Sequence, residues 1–255
     1  MRHGLPVVCV LTLLASALPA GASSDAARFA VSAWPSRVTV SAPGTATVGV
    51  GNPGKAPVTL VARSAGYTLD RGGRPRIGPA TTSWFAVRPA RLVVAPHGTA
   101  RLRVAVRRPA GARPGDHAEL LLLSTEPPPG RRVAARLRIG VVVVVRVPGR
   151  RVRRLGLGPL RVHGHDRFTV VELTIANRGN VDEWIGRGRI RVTLVRQGWR
   201  MASAAIEPRR LLALSSGVVE ARFRGRLAGR LTAVVVLRQP RAGVAIARRS
   251  YPLRL

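Results

Sequence analysis

Five consecutive valines, Val141 to Val145, restrict this chain more than any other stretch. Valine is stiff at χ1 and suits a pleated backbone, so the run reads as a strand. A strand that is apolar on both sides needs cover on both faces. Upstream, Val133, Ala135, Leu137 and Ile139 alternate with Ala134, Arg136 and Arg138, the period of a half-buried strand. The apolar stretch is far too short to cross a bilayer as a helix, which needs about 20 residues. Pro148-Gly149 ends it, and an arginine-rich joint follows. The run is therefore expected to close one domain and lead into a second. Two roles stay open for it. It is a core strand covered by its own sheets, or a long strand that also offers an edge to a partner.

The rest of the chain repeats this grammar. Short apolar strands recur between Gly/Pro turns such as Pro43-Gly44, Gly51-Asn52-Pro53-Gly54 and Pro96-His97-Gly98. Such spacing signals a β-sandwich or barrel. Tyr67 to Thr82 is polar and glycine-rich and reads as a long loop. Gly149 to Gly158 reads as a solvated joint. Beyond it the strand pattern restarts at Phe168 to Ala176 and continues to Leu253. No helical period stands out, and no residue-level repeat links the halves. The expected fold is all-β, with two tandem immunoglobulin-like β-sandwich domains, residues 23–149 and 150–255, after a signal peptide at residues 1–22.

The signal peptide rests on three features. Arg2 and His3 form a basic start, Leu5 to Leu18 an apolar core, and Ala20-Gly21-Ala22 a small-residue cleavage site. Cleavage after Ala22 removes Cys9, the one cysteine, and with it any thiol chemistry. It also removes one positive charge, Arg2, so the formal +32 becomes +31. Lys55 is the only lysine, a bias that points to a GC-rich bacterial genome. So large an excess of arginine attracts polyanions. Export disfavours nucleic acid, leaving an anionic cell-wall polymer or lipid surface. Arg101, Arg103 and Arg107 share one strand face, as do Arg187, Arg189 and Arg191. Each set reads either as a solvated face or as an anion-binding one. Trp34, Trp84, Trp184 and Trp199 are expected in the core or at sandwich rims, with a carbohydrate platform as the other reading.

From Phe29 to Gly149 the chain resembles the periplasmic pilus-chaperone family and related bacterial immunoglobulin-like surface domains. The resemblance rests on four segments. They are Ser36-Arg37-Val38-Thr39-Val40, Val48 to Asn52, Trp84-Phe85-Ala86-Val87-Arg88-Pro89 with Leu92 and Pro96-His97-Gly98, and Leu137 to Pro148. In that family an arginine on the first strand and a lysine on the last hold the terminal carboxylate of a pilus subunit. Arg37 matches the first. The lysine position falls at Val142, with Arg138 the nearest substitute. The resemblance implies a partner-pairing strand whose contacts are Arg138, Ile139, Val141, Val143 and Val145, with Arg37 at its end. A second resemblance is to two-domain wall-associated proteins of Gram-positive bacteria that hold other surface proteins.

Signs of a reaction are sparse. His163 and His165 fall on one face of a strand and could share a metal, which is the basis of a metal-dependent hydrolase as the outside alternative, although Asp166 comes one place too early for an H-x-H-x-D signature. A surface hairpin is the plainer reading. No nucleophile elbow, P-loop or dinucleotide fingerprint is present. Glu119 and Glu126, or Asp182 and Glu183, are expected to pair with arginines. Asp116, Asn180 and Asp182 are expected to shape turns. The sequence thus points to a non-enzymatic secreted envelope protein, without cofactor, that binds or helps assemble another surface component. A pilus-assembly chaperone acting by strand addition is the alternative within that class.

Overall fold

The computed structural model describes residues 31–80, 84–126, 136–164, 167–239 and 244–255. The expected signal peptide, His165 and Asp166 lie outside the described residues. Among the described residues every regular element is a strand. The first sandwich holds β1 (Ser32–Trp34), β2 (Arg37–Ser41), β3 (Gly44–Gly51), β4 (Val58–Leu69), β5 (Pro75–Gly78), β6 (Phe85–Arg88), β7 (Arg91–Val94), β8 (Thr99–Val106), β9 (Gly115–Thr125) and β10 (Arg138–Val147). The second holds β11 (Leu155–Gly164), β12 (Phe168–Asn177), β13 (Glu183–Ile185), β14 (Ile190–Arg196), β15 (Trp199–Ala205), β16 (Arg209–Leu211), β17 (Ser216–Arg224), β18 (Arg230–Arg238) and β19 (Ala245–Arg254).

In the first sandwich, one sheet runs β1-β3-β8-β6 and the other β2-β10-β9-β4-β5, with β7 also on β4. The second sandwich packs β11-β12-β17 and the small pair β13-β16 against β15-β14-β18-β19. Alternation decides what each strand buries. Val48, Val50, Leu102, Val104, Leu121 and Leu123 point inward and meet Val141, Val143 and Val145 in the first core. Leu173, Ile175, Ile190, Val192, Leu194 and Val235 build the second. The valine run is covered on both faces, as its composition demands. Val142 turns away from the main core and packs on Ala65, Leu120, Leu122 and Tyr67.

The first strand is split between sheets. β1 pairs antiparallel with β3, whereas β2 pairs parallel with β10, Arg37 opposite Val142 and Ser41 opposite Arg146. Pro35 stands between the halves, where it has no N–H to give a ladder.

Several sequence expectations change here. The stretch expected as a loop from Tyr67 carries strand instead over much of its described part, because β4 runs on to Leu69 and the chain returns as β5. Asp70 closes the tip: its Oδ1 accepts the Arg74 N–H at 2.9 Å, and its carbonyl accepts the Gly73 N–H at 2.8 Å. Gly73 has a φ of 78°, which favours glycine. β11 begins at Leu155, inside the stretch expected to be a joint, and the short β13 and β16 carry too little pattern to be seen. The halves also share a residue-level device. Asn52, ending β3, donates its amide to Ala56, Val94 and Ala95 carbonyls at 2.8–3.1 Å and accepts the Gly54 N–H. Asn177, ending β12, donates to Val181 and Leu212 carbonyls at 2.8 and 2.9 Å and accepts the Gly179 N–H. Both asparagines are 2% exposed, so each bond forms away from water.

Replacing either asparagine strands buried carbonyls. Asn52→Ala or Asn177→Ala is expected to lower the unfolding free energy by about 2–3 kcal/mol, read from urea denaturation. A loss below about 0.5 kcal/mol would leave these amides with no structural role.

Candidate functional site

The open edge of β10 is the feature of the fold that a partner strand could use. Over Val142 to Arg146 the strand has β9 on one side and β2 on the other. The Val142 N–H donates to the Ser36 carbonyl at 3.0 Å, the last bond on the β2 side. Toward its N-terminal end β10 keeps β9 alone. Main-chain groups alternate direction along a strand. The Leu137 carbonyl accepts the Thr125 N–H at 3.0 Å, so odd-numbered residues face β9. Arg138 and Gly140 therefore turn their N–H and C=O groups outward, unpaired among the described residues. Gly140 leaves room for the Leu120 side chain, whose Cδ1 lies 2.8 Å from where a Cβ would stand. Half-buried Ile139 and Leu137 extend the inward row of Val141, Val143 and Val145 beyond the cover of β2.

The six residues read from the sequence thus separate. Arg138 and Ile139 lie on the open edge. Val141, Val143 and Val145 are fully enclosed in the first core and hold the strand in place from within. Arg37 lies at the end of β2, but its guanidinium is bonded to the Asp182 carboxylate of the second sandwich. The outward main chain of Gly140 was not readable, since it leaves no mark in side-chain pattern.

That ion pair belongs to a network of bonds that joins the two sandwiches. Arg146 grips Asp116 with two bonds, Nε to Oδ1 at 2.7 Å and Nη2 to Oδ2 at 3.0 Å. The same Oδ2 accepts the Asp182 N–H at 3.0 Å, and Asp182 Oδ1 accepts the Ala213 N–H at 2.9 Å. Asn180 stitches alongside, donating to the Pro114 and Arg150 carbonyls at 2.9 and 2.8 Å. Asp116, Asn180 and Asp182 are therefore junction residues rather than turn formers. The pairing of Asp116 with Arg146 lies in register: the two stand directly opposite each other across β9 and β10.

Burial works to raise the Asp116 carboxyl, but the Arg146 and Asp182 bonds hold it below the ordinary range. Burial pushes Asp182 up and Arg37 down, more than their mutual attraction offsets. On the far side of the junction the β4–β5 tip reaches the second sandwich. Arg71 offers its carbonyl to the Val218 N–H at 2.8 Å, and Arg209 donates to the Arg71 and Gly72 carbonyls. Between the two attachments lies a cleft of about 790 Å³, lined by Trp84, Pro114, His117, Asn180, Leu212 and Leu214 among others.

Other acids follow expectation in part. Glu126 pairs with Arg91 at 2.8 Å, and Glu183 with Arg153 and Arg189 at 2.9 and 2.7 Å. Arg189 thus points inward, away from the face assigned to it. Among the described residues Glu119 has no arginine partner; it is 3% exposed and accepts the Trp84 N–H at 3.3 Å, and burial raises its carboxyl to about 7. Trp84 stacks on His117 with ring centres 4.2 Å apart. His163 lies 3.2 Å from Glu172, and its expected companion His165 is outside the described residues. Among the described residues no three His, Cys, Asp or Glu side chains gather as metal ligands, and no helix is long and apolar enough to cross a membrane.

No protein-family model matches the sequence, and no curated protein matches it. Solved structures do match in fold, among them chaperones of fimbriae. A crystal structure of the class 5 fimbriae chaperone CfaA is 9% identical, with 89% of this chain and 99% of that chain aligned at a TM-score of 0.52. A chaperone in complex with a tip adhesin of CFA/I fimbriae is also 9% identical, with 88% and 98% covered at 0.52. At this identity the likeness is one of fold, and it spans both sandwiches. The likeness to pilus chaperones expected from the first-domain segments is thus present in the fold.

Two outcomes test the buried groups. Arg37→Ala leaves Asp182 without its partner in a site that is 5% exposed. Losing one partner of a buried pair costs about 3–5 kcal/mol, and the partly exposed guanidinium places Arg37→Ala near the lower end. Thermal melting of the variant against the parent reads this directly. An unchanged melting temperature would show that the pair holds nothing. For Glu119, the folded carboxyl titrates above its unfolded value of 4.5. Its contribution to stability is full below that value and fades as pH rises through about 7. Glu119→Gln should therefore flatten the decline in stability between those pH values and gain on the parent in mild alkali. Parallel pH profiles for the two proteins would count against a buried acid.

Proposed function

We propose that this chain is an exported, non-enzymatic envelope protein that captures a strand of another surface protein along β10, in the manner of a pilus-assembly chaperone. The observation that carries this reading is the sheet switch of the first strand. It leaves the main chain of Arg138 and Gly140 unpaired beside an apolar row that runs out from the core. Strand addition draws affinity from such main-chain groups and specificity from side chains on alternate positions. The chaperone bound to a tip adhesin, similar in fold, supports a pilus-type subunit as the partner class. Periplasm is the compartment that goes with this role.

Capture here relies on the strand edge rather than on a carboxylate held by Arg37. That guanidinium already has Asp182, and Val142 stands where a second cation would be needed. Ile139 and Leu137 supply the apolar contacts, and Arg138 lies at the solvent side.

Arg138→Pro removes one outward N–H while leaving the β9 ladder intact, since proline is tolerated on an edge strand. Arg138→Ala removes the side chain alone. With a photo-crosslinking residue at position 136, the mature protein is expected to trap one envelope protein in its native cell. Arg138→Pro should abolish the adduct, Arg138→Ala should keep it, and both should melt like the parent. An adduct that survives Arg138→Pro and fails with Arg138→Ala would sink strand addition in favour of a charge contact.

A further inference from the structure

The outer face of the β1-β3-β8-β6 sheet carries a second recognition surface, remote from the β10 edge. Its outward positions are Ser32 and Trp34 on β1, Thr45 and Thr47 on β3, Ala86 and Arg88 on β6, and Thr99, Arg101 and Arg103 on β8. None of the described acids lies on this face. Arg88 and Arg103 are direct cross-strand partners, and Arg103 also faces Thr47 across β3. Opposed residues on neighbouring strands have Cα atoms about 5 Å apart, and like charges placed so repel. Among the described residues no carboxylate is paired with Arg88, Arg101 or Arg103. An anion from outside the chain would relieve this repulsion.

Trp34 completes the surface. It is 46% exposed and pairs with Gly49, which in turn pairs with Arg101. A Cβ on Gly49 would stand 2.3–2.6 Å from three indole atoms, and one on Gly51 would stand 3.1 Å from a fourth. The ring therefore lies flat on the two glycines and shows its other face to solvent. One register row reads Trp34, Gly49, Arg101, and the next reads Thr47, Arg103, Arg88.

We infer that this face binds an acidic polysaccharide, a sugar chain bearing carboxylate or phosphate groups. Arginine forks fit carboxylate and phosphate oxygens two at a time. The free indole face suits the apolar face of a sugar ring, and threonine hydroxyls can bond its hydroxyl groups. A membrane surface fits less well, because apart from Trp34 no large apolar side chain points outward to enter lipid. Single-stranded nucleic acid is gripped by several successive aromatic side chains, and here there is one. The inference concerns a different face from β10 and stands whether or not that edge captures a strand.

The test uses the full mature chain and four probes: polygalacturonate, neutral dextran, phosphatidylglycerol vesicles and an oligothymidylate. Polygalacturonate should bind with an affinity that falls steeply with salt, dextran should not bind, and the other two should bind more weakly. The triple variant Arg88→Gln, Arg101→Gln, Arg103→Gln should weaken polygalacturonate binding by about tenfold or more, since each lost charged bond matters. A control triple, Arg226→Gln, Arg230→Gln, Arg248→Gln, carries the same net charge and should lose less than about threefold if the patch rather than total charge is read. Gly49→Ala lifts the indole without touching an arginine. It should weaken polygalacturonate several-fold while leaving binding of polyglutamate, a polyanion without sugar rings, unchanged. Equal losses in the two triples would overturn the site. Tighter binding of vesicles or oligothymidylate, or a Gly49→Ala variant that binds like the parent, would overturn the sugar polymer as its ligand. Melting temperatures of all variants separate loss of binding from loss of fold.

Discussion

The sheet switch at Pro35 is the constraint on which the rest of the first sandwich depends. A single strand from Ser32 to Ser41 in one sheet would cover either β3 or β10, but not both. By splitting, the chain closes the β3 side with three residues and the β10 side with five. The halves meet the hydrogen-bonding needs of two sheets, yet the second half is shorter than the strand it covers. What remains of β10 is an edge with unpaired main chain, which native proteins otherwise hide or charge. The same turn lays Trp34 on the glycines of β3. Both surfaces argued to meet other molecules thus trace to one short proline-bearing corner.

Scarcity of acids shapes the rest. Asp116, Glu119 and Glu183 are 6%, 3% and 1% exposed, and the Asp182 side chain 5%. Most acids in such sites hold main-chain N–H groups or arginines from another element. Carboxylates drawn inside cannot offset arginines outside, so whole sheet faces carry one sign of charge. The basic character of the surface follows from where the acids sit as much as from how many there are.

Much of the architecture was legible. The strand pattern placed β12, and the shared face of Arg101 and Arg103 marked the outside of β8, because a period of two is local and survives in any window. The valine run gave its own strand and the need for cover. Register was not legible, and the junction is made of register. Asp116 meets Arg146 only because of the β9–β10 register, and Arg37 meets Asp182 across the domain boundary, a contact that no local pattern marks. The β4–β5 hairpin was lost because glycine and polar residues at its tip outweigh four short strand residues. Of the tryptophans, expected in the core or at rims, only Trp84 packs against the core, whereas Trp34, Trp184 and Trp199 sit outside, at 46%, 53% and 79% exposure, since size favours burial but does not choose the face.

The position of β10 between a parallel and an antiparallel neighbour has a mechanical side. A strand laid along its free end would continue the line of β2, end to end on the same side of β10. Tension along that added strand would load its bonds to β10 in shear, all at once, rather than opening them one by one as in a hairpin. Beyond Val147 the chain passes directly into the joint that Asn180 clamps from the second sandwich. Force entering at the edge would pass along β10 into that joint and, through the bonds of Asn180, into the second sandwich.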